Sequence, residues 1–305
     1  MEGANNMKHI LVAAAASAAV LALPLAAHAS SYLPTQGSPN SIQHQLLQTG
    51  LDIQEFDDFG GDVAADSADD DEDEDGFDLD GDSDTIGVTA THWDASGIEG
   101  QRYEGRYQKA WRAFEGNRSR ILVDVPVNVL AVDGNYAKSA ALSVGLEVPV
   151  TSRWTLTPRV SAAKSWAGTY FGGDGSLYGA SLSSRFHVAQ LGRGDLVLGG
   201  LVGFTKSDDA NGELEHSALR GGAAYQFPLK SLVFGRQASA RLSYTRTQIG
   251  GDPVAIETSN EIAANLGVRL RESSTRNKFE LLRIGVLHTF ADDFQATTLT
   301  VGYRF

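Results

Sequence analysis

The sequence predicts an all-β protein: an antiparallel transmembrane β-barrel of about ten strands, preceded by a disordered acidic arm. Three observations carry this. The chain opens on an apolar leader with a small-residue cleavage site. From Ser119 onward apolar and polar side chains alternate with a period of two. The last alternating segment ends the chain on an aromatic residue, Phe305.

The leader comes first. Lys8 and His9 precede an apolar run from Ile10 to Ala27, interrupted at Pro24 and closed by Ala27-His28-Ala29. That is the order of a secretory signal peptide, so residues 1–29 are read as cleaved, with Ser30 the first mature residue. Met7-Lys8 offers a cleaner start than Met1. With no cysteine in the chain, a disulfide framework and thiolate chemistry are excluded.

Residues 30–100 form an arm of one charge sign. The chain has 38 acids and 25 Lys and Arg; 19 of the acids and none of the bases lie between Ser30 and Gln101. Setting aside Glu2 and Lys8, the rest of the chain carries a net charge of +6 (24 bases, 18 acids). Such an arm cannot bury enough apolar surface to offset its ordering entropy, so disorder is expected. Asp71, Asp73, Asp75 and Gly76 match the opening of a calcium loop, and Asp78, Asp80 and Asp82 repeat a similar pattern. Hard cations need such carboxylate oxygens. Against this, the eighth and twelfth loop positions are Asp78 and Asp82, and no helical pattern flanks the loop. A solvated polyanion that attracts Ca2+ loosely is the plainer expectation, and no cofactor is assigned.

Residues 101–118 read as a linker or short amphipathic helix. Tyr103, Tyr107, Trp111 and Phe114 fall at spacings of four, four and three, with Arg106, Lys109 and Arg112 off that face. An irregular first strand with Trp111 at a membrane interface is the alternative.

The barrel is expected over residues 119–305. Ten segments alternate: about 120–132, 136–148, 153–165, 177–189, 195–206, 216–227, 238–249, 257–270, 278–289 and 295–305. Asp133-Gly134 and Asp174-Gly175 supply turn dipeptides. Segments of this length and alternation are what a membrane-spanning strand requires, and unpaired backbone in lipid forces the sheet to close. Two further strands between 85 and 118 would raise the count to twelve. A soluble sandwich also alternates, but the leader, the uniform strand length and the aromatic ending disfavour it.

With apolar faces toward lipid, the lumen receives Arg159, Arg185, Arg220, Arg241, Arg269, Arg283 and Arg304, against Asp124, Glu147 and Glu261. So narrow a barrel is nearly filled by side chains, and these arginines must be paired, hydrated or matched to an inserted segment. If the last strand runs toward the periplasm, the outer loops hold Asp133, Asp174, Asp208, Asp209, Glu213, Asp252, Asp292 and Asp293, and the inner turns hold Arg153, Arg193, Lys230, Arg236, Arg271, Arg276 and Lys278.

Leu299, Val301, Tyr303 and Phe305 alternate with Thr300, Gly302 and Arg304, which resembles the C-terminal assembly signal of bacterial outer-membrane barrels. Val148-Pro149-Val150-Thr151-Ser152-Arg153-Trp154-Thr155-Leu156-Thr157-Pro158 is similar to a strand–turn–strand of autotransporter-type barrel domains. The resemblance spans about 119–305 and implies a bacterial outer-membrane location, assembly by the barrel assembly machinery, and outer-membrane lipid and lipopolysaccharide as surroundings. The acidic arm has no β-helical repeat, so a solitary autotransporter-like barrel fits better than a full autotransporter.

Enzyme motifs are not found. A barrel lipid hydrolase resembles a His-x-Ser pair on one strand face, whereas His216 is followed directly by Ser217, and His187 and His288 lack a serine two positions on. An omptin-like protease needs Asp-x-His on an upper strand; Asp208-Asp209 is expected in a loop. There is no phosphate loop, zinc spacing or nucleic-acid stripe. The expected role is a structural, translocator or small-pore barrel with a periplasmic or lumen-inserted arm. The alternative is a surface-display or adhesion module whose arm is exported.

Overall fold

The computed structural model describes residues 83–304, apart from 96, 115–117, 168–170, 172, 192–193, 210–211, 234–235, 253, 255 and 273–278. The signal peptide, the bulk of the arm, its aspartates Asp71, Asp73, Asp75, Asp78, Asp80 and Asp82, and Phe305 lie outside the described residues.

Twelve antiparallel strands close into one barrel. In chain order they are β1 (Ser83–Ala95), β2 (Ile98–Arg112), β3 (Arg120–Val132), β4 (Asn135–Thr151), β5 (Trp154–Ala167), β6 (Gly175–Leu191), β7 (Gly194–Asp209), β8 (Gly212–Val233), β9 (Arg236–Gly251), β10 (Thr258–Glu272), β11 (Phe279–Ala291) and β12 (Phe294–Arg304). Neighbours in sequence are neighbours in the sheet, and β1 pairs β12 to seal it. The count is twelve rather than ten, and the arm's boundary moves: β1 occupies residues read as arm.

The helix expected over 101–118 is replaced by β2. Tyr103, Tyr107 and Trp111 are four apart, and four is a multiple of two, so the spacing serves a strand face as well as a helix face. Arg102, Glu104, Arg106 and Gln108, at the alternate positions, carry the strand signal. Phe114 breaks the period and lies beyond the strand.

Short turns hold the register. Asp133 and Gly134 both have positive φ (50° and 76°), the geometry of a two-residue type I′ hairpin. In the two-residue β11–β12 turn, Asp293 alone has positive φ (56°). Pro126 has no N–H to give, and the β3–β4 ladder is interrupted at Val125 and Pro126 while its register continues unshifted from Asp124–Ser143 to Val127–Ala140.

Val88, Val127, Leu142, Val160, Leu182, Val202, Leu242, Ile262, Ile284 and Leu299, one from each of ten strands, are exposed and point outward. An apolar belt over so many strands far exceeds the patches that soluble monomers expose, and a closed sheet leaves no backbone unpaired in lipid. The fold is a transmembrane β-barrel. Odd-numbered strands begin at the end where Ser83 and Arg304 lie, here the terminal end; the opposite end is the loop end.

Candidate functional site: an arginine-lined lumen

The lumen has two chemically distinct parts. At the loop end apolar side chains cluster. Leu130, Val132, Ala137, Ala141, Ala163 and Leu177 pack with Phe171 of the β5–β6 loop, which is only 2 % exposed. Trp93 and Ile98 pack against them. Gly100 makes room for Trp93, since a Cβ there would stand 2.2 Å from the indole. A second cluster joins Leu201, Ala218 and Ile249 to Val254 of the β9–β10 loop. Phe171 and Val254 therefore carry two apolar clusters inward at that end, beside the buried polar side chains of Ser165, Ser207 and His216.

Below these clusters, carboxylates gather arginines from other strands. Arg106 (β2) donates to Asp124 (β3) from Nε at 2.7 Å and Nη2 at 2.5 Å. Arg159 (β5) approaches the same carboxylate at 3.9 Å and donates to Ser143 Oγ at 3.2 Å. To reach β3 it lies across β4 over Gly145, where a Cβ would stand 3.4 Å from its Nε. Arg120 (β3) donates twice to Glu147 (β4), at 3.0 and 2.9 Å, and Arg185 (β6) stands 3.5 Å from the other oxygen. Arg220 (β8) meets Glu261 (β10) across β9. The planar guanidinium suits such paired recognition, and its length lets it span an intervening strand with a small residue.

Two arginines stand apart. Among the described residues, Arg241 (β9) and Arg283 (β11) have neither an ion pair nor a hydrogen-bonded carboxylate. Arg241 is 4 % exposed, its Nε has no partner, and the charges acting on it are those of Arg283 and Arg185, of the same sign. Both sit near the starts of their strands, at the terminal end. They flank β10, where Asn265 faces Arg241 and Gly267 faces Arg283.

Of the arginines expected in the lumen, Arg159, Arg185, Arg220, Arg241 and Arg283 face inward. The side chains of Arg269 and Arg304 lie outside the described residues. The structure adds Arg102, Arg106 and Arg120, with Glu104 and Asp195. Eight inward arginines that are buried or half-buried thus face five carboxylates, a surplus of three, and Arg112, in register with Arg120, is exposed at the rim. Arg120 was legible from its parity with Asp124; Arg102, Glu104 and Arg106 were hidden by the helix reading.

In the terminal strand, Leu299 and Val301 face outward, and Tyr303 shares their parity. Val301 lies between Val88 and Ile284, and Tyr303 between Ile86 and Leu282, so this strand continues the lipid-facing belt across the closure. His216 faces the lumen and Ser217 the exterior, where its hydroxyl reaches Gly250 O at 3.4 Å. His288 is exterior and meets Thr297 at 3.2 Å. Asp208 and Asp209, expected in a loop, are the last two residues of β7, opposite Glu213 and Gly212 in the β7–β8 ladder.

The fold and the site define a membrane-spanning barrel whose lumen is lined by paired arginines and carboxylates. Solved structures of the same architecture include the β domain of the Bordetella autotransporter BrkA, at 13 % identity and TM-score 0.56, covering 74 % of this chain and 99 % of that one. The translocator domain of the autotransporter NalP from Neisseria meningitidis is similar at 16 % identity and TM-score 0.54, covering 90 % of this chain and 99 % of that one. In sequence, no family model and no curated relative matches the chain.

Proposed function

We propose that this chain is an outer-membrane barrel of the autotransporter-like kind, working as a small plugged pore or translocator whose own acidic arm occupies the terminal end of the lumen. The observation that carries this is the placement of Arg241 and Arg283. They are inward cations without a carboxylate among the described residues, at the end where β1 begins, and so where residues 30–82, with 16 acids, join the barrel. Charges withdrawn from water are stable only when paired, and the arm holds acids without bases. The apolar cluster around Phe171 occupies part of the other end, which favours an arm held on the terminal side over one displayed outside. The likeness to translocator domains supports the class, and the lipid-facing terminal strand supports insertion by the barrel assembly machinery.

Deleting residues 30–82 and recording single channels in planar bilayers tests the reading. The expected result is a larger or more frequently open conductance with anion preference, because uncompensated guanidiniums favour anions. Conductance and selectivity identical to the full chain overturn it.

A further inference from the structure

The outer face carries Lys109, Lys138, Lys164 and Lys206, together with Arg246 beside Tyr244 on β9. Three of those four lysines stand at the loop end, on β4, β5 and β7. Lys138 pairs in register with Trp166, and Lys164 with Ala140, so the two lysines are diagonal neighbours across β4–β5 on one exterior face. Diagonal partners have Cβ atoms ~7 Å apart or somewhat less. Among the described residues, neither has a carboxylate: Lys164 Nζ finds only Ser176 Oγ, at 3.3 Å. Lys206 differs, being held by Glu213 at 2.7 Å and Glu215 at 3.5 Å, and it marks the edge of the patch.

The surroundings are aromatic. Tyr136, Trp166, Tyr178 and Phe204 are among the most exposed large side chains of the barrel, at 50–63 %. Below them, toward the terminal end, come Leu142, Val144, Val160 and Leu182, all apolar and outward. Aromatic rings at the top of an apolar belt mark the depth of the lipid headgroups. Lysine stems lie along apolar surface and lift the ammonium to that same depth.

From this we infer that Lys138 and Lys164, framed by Tyr136 and Trp166, form an exterior binding site for the phosphate of a membrane-embedded anionic glycolipid at the loop end. Two like charges side by side at the edge of lipid repel each other, and an anion between them reverses the sign of that interaction. A lipid phosphate arrives at this depth already tethered, with its acyl chains against the Leu142–Val160 surface. The inference rests on the outer-membrane reading.

The test uses the full chain reconstituted into phosphatidylcholine vesicles containing either bisphosphorylated lipid A or its dephosphorylated form. Flotation and heat-modifiable migration report insertion, and co-purified lipid A after detergent exchange reports binding. Wild type should retain the phosphorylated form preferentially. Lys138→Gln with Lys164→Gln should weaken retention about tenfold or more, the scale of two cations at an anionic lipid surface, while Lys109→Gln at the other end should not. Equal retention of both lipid forms, or a double variant that retains like wild type, overturns the inference while leaving the membrane reading intact. Free inorganic phosphate competing as well as the lipid would overturn the assignment to a lipid. A chain that neither floats nor shows heat-modifiability overturns both.

Discussion

Arg106 and Asp124 meet diagonally across β2 and β3, guanidinium fork to carboxylate, with Nε–Oδ1 at 2.7 Å and Nη2–Oδ2 at 2.5 Å. Asp124 has no solvent-exposed surface, and Arg159 approaches it from the other side. One carboxylate therefore joins three strands through the lumen.

Removing it strands two buried guanidiniums. Asp124→Ala should destabilise the barrel by roughly 3–5 kcal/mol, the cost of breaking a buried pair from one side. Urea unfolding in detergent micelles, followed by the heat-modifiable band, measures this. A loss under ~1 kcal/mol, the exposed-pair range, would show that water reaches the site.

The apolar cluster around Phe171 predicts a conductance change. Phe171→Ser removes its largest buried side chain and introduces a hydroxyl that favours water. The open-channel conductance should rise, and the effect should add to that of arm deletion because the two lie at opposite ends. Planar bilayer recordings of the single and combined variants check both points.

Arg241 and Arg283 predict protection of the arm. Residues 30–82 contain no Lys or Arg, so trypsin cannot report on them, but Glu55, Glu72 and Glu74 are open to a glutamyl endopeptidase. Arg241→Ser with Arg283→Ser should speed cleavage severalfold at low salt, and added salt should shrink the difference as it screens the attraction. Identical cleavage rates would place the arm elsewhere.

Glycine positions separate tolerance from failure. A Cβ at Gly222 would stand 2.4 Å from Tyr244 O and 3.0 Å from Thr245 Cα, both backbone atoms that cannot swing away. Gly222→Ala should therefore lower the yield of folded barrel sharply. Gly105→Ala, whose nearest neighbour is Val127 Cγ2 at 3.9 Å, should fold as wild type. The fraction of heat-modifiable protein after refolding reads both.

Alternation alone specified the lipid face, because a strand has two faces and only one of them can be greasy in a membrane. Ile121 to Val129, Leu142 to Val148 and Leu299 to Val301 could be assigned outward, and Asp124, Glu147 and Arg159 inward, without coordinates. The Asp133-Gly134 turn was equally local, since two positive φ angles in succession select such residues. β2 was not legible, because a four-residue spacing satisfies strand and helix periods alike and acidic composition upstream masked β1. Pairing was beyond the sequence for a different reason. Arg159 reaches Asp124 over Gly145, and Arg220 reaches Glu261 across β9, only once closure and register bring non-adjacent strands within one guanidinium length. The apolar cluster around Phe171 likewise needed the β5–β6 loop to turn inward. From β3 onward the alternation determined which side chains enter the lumen; tertiary closure added β1 and β2, decided which side chains find a partner, and left Arg241 and Arg283 without a carboxylate among the described residues.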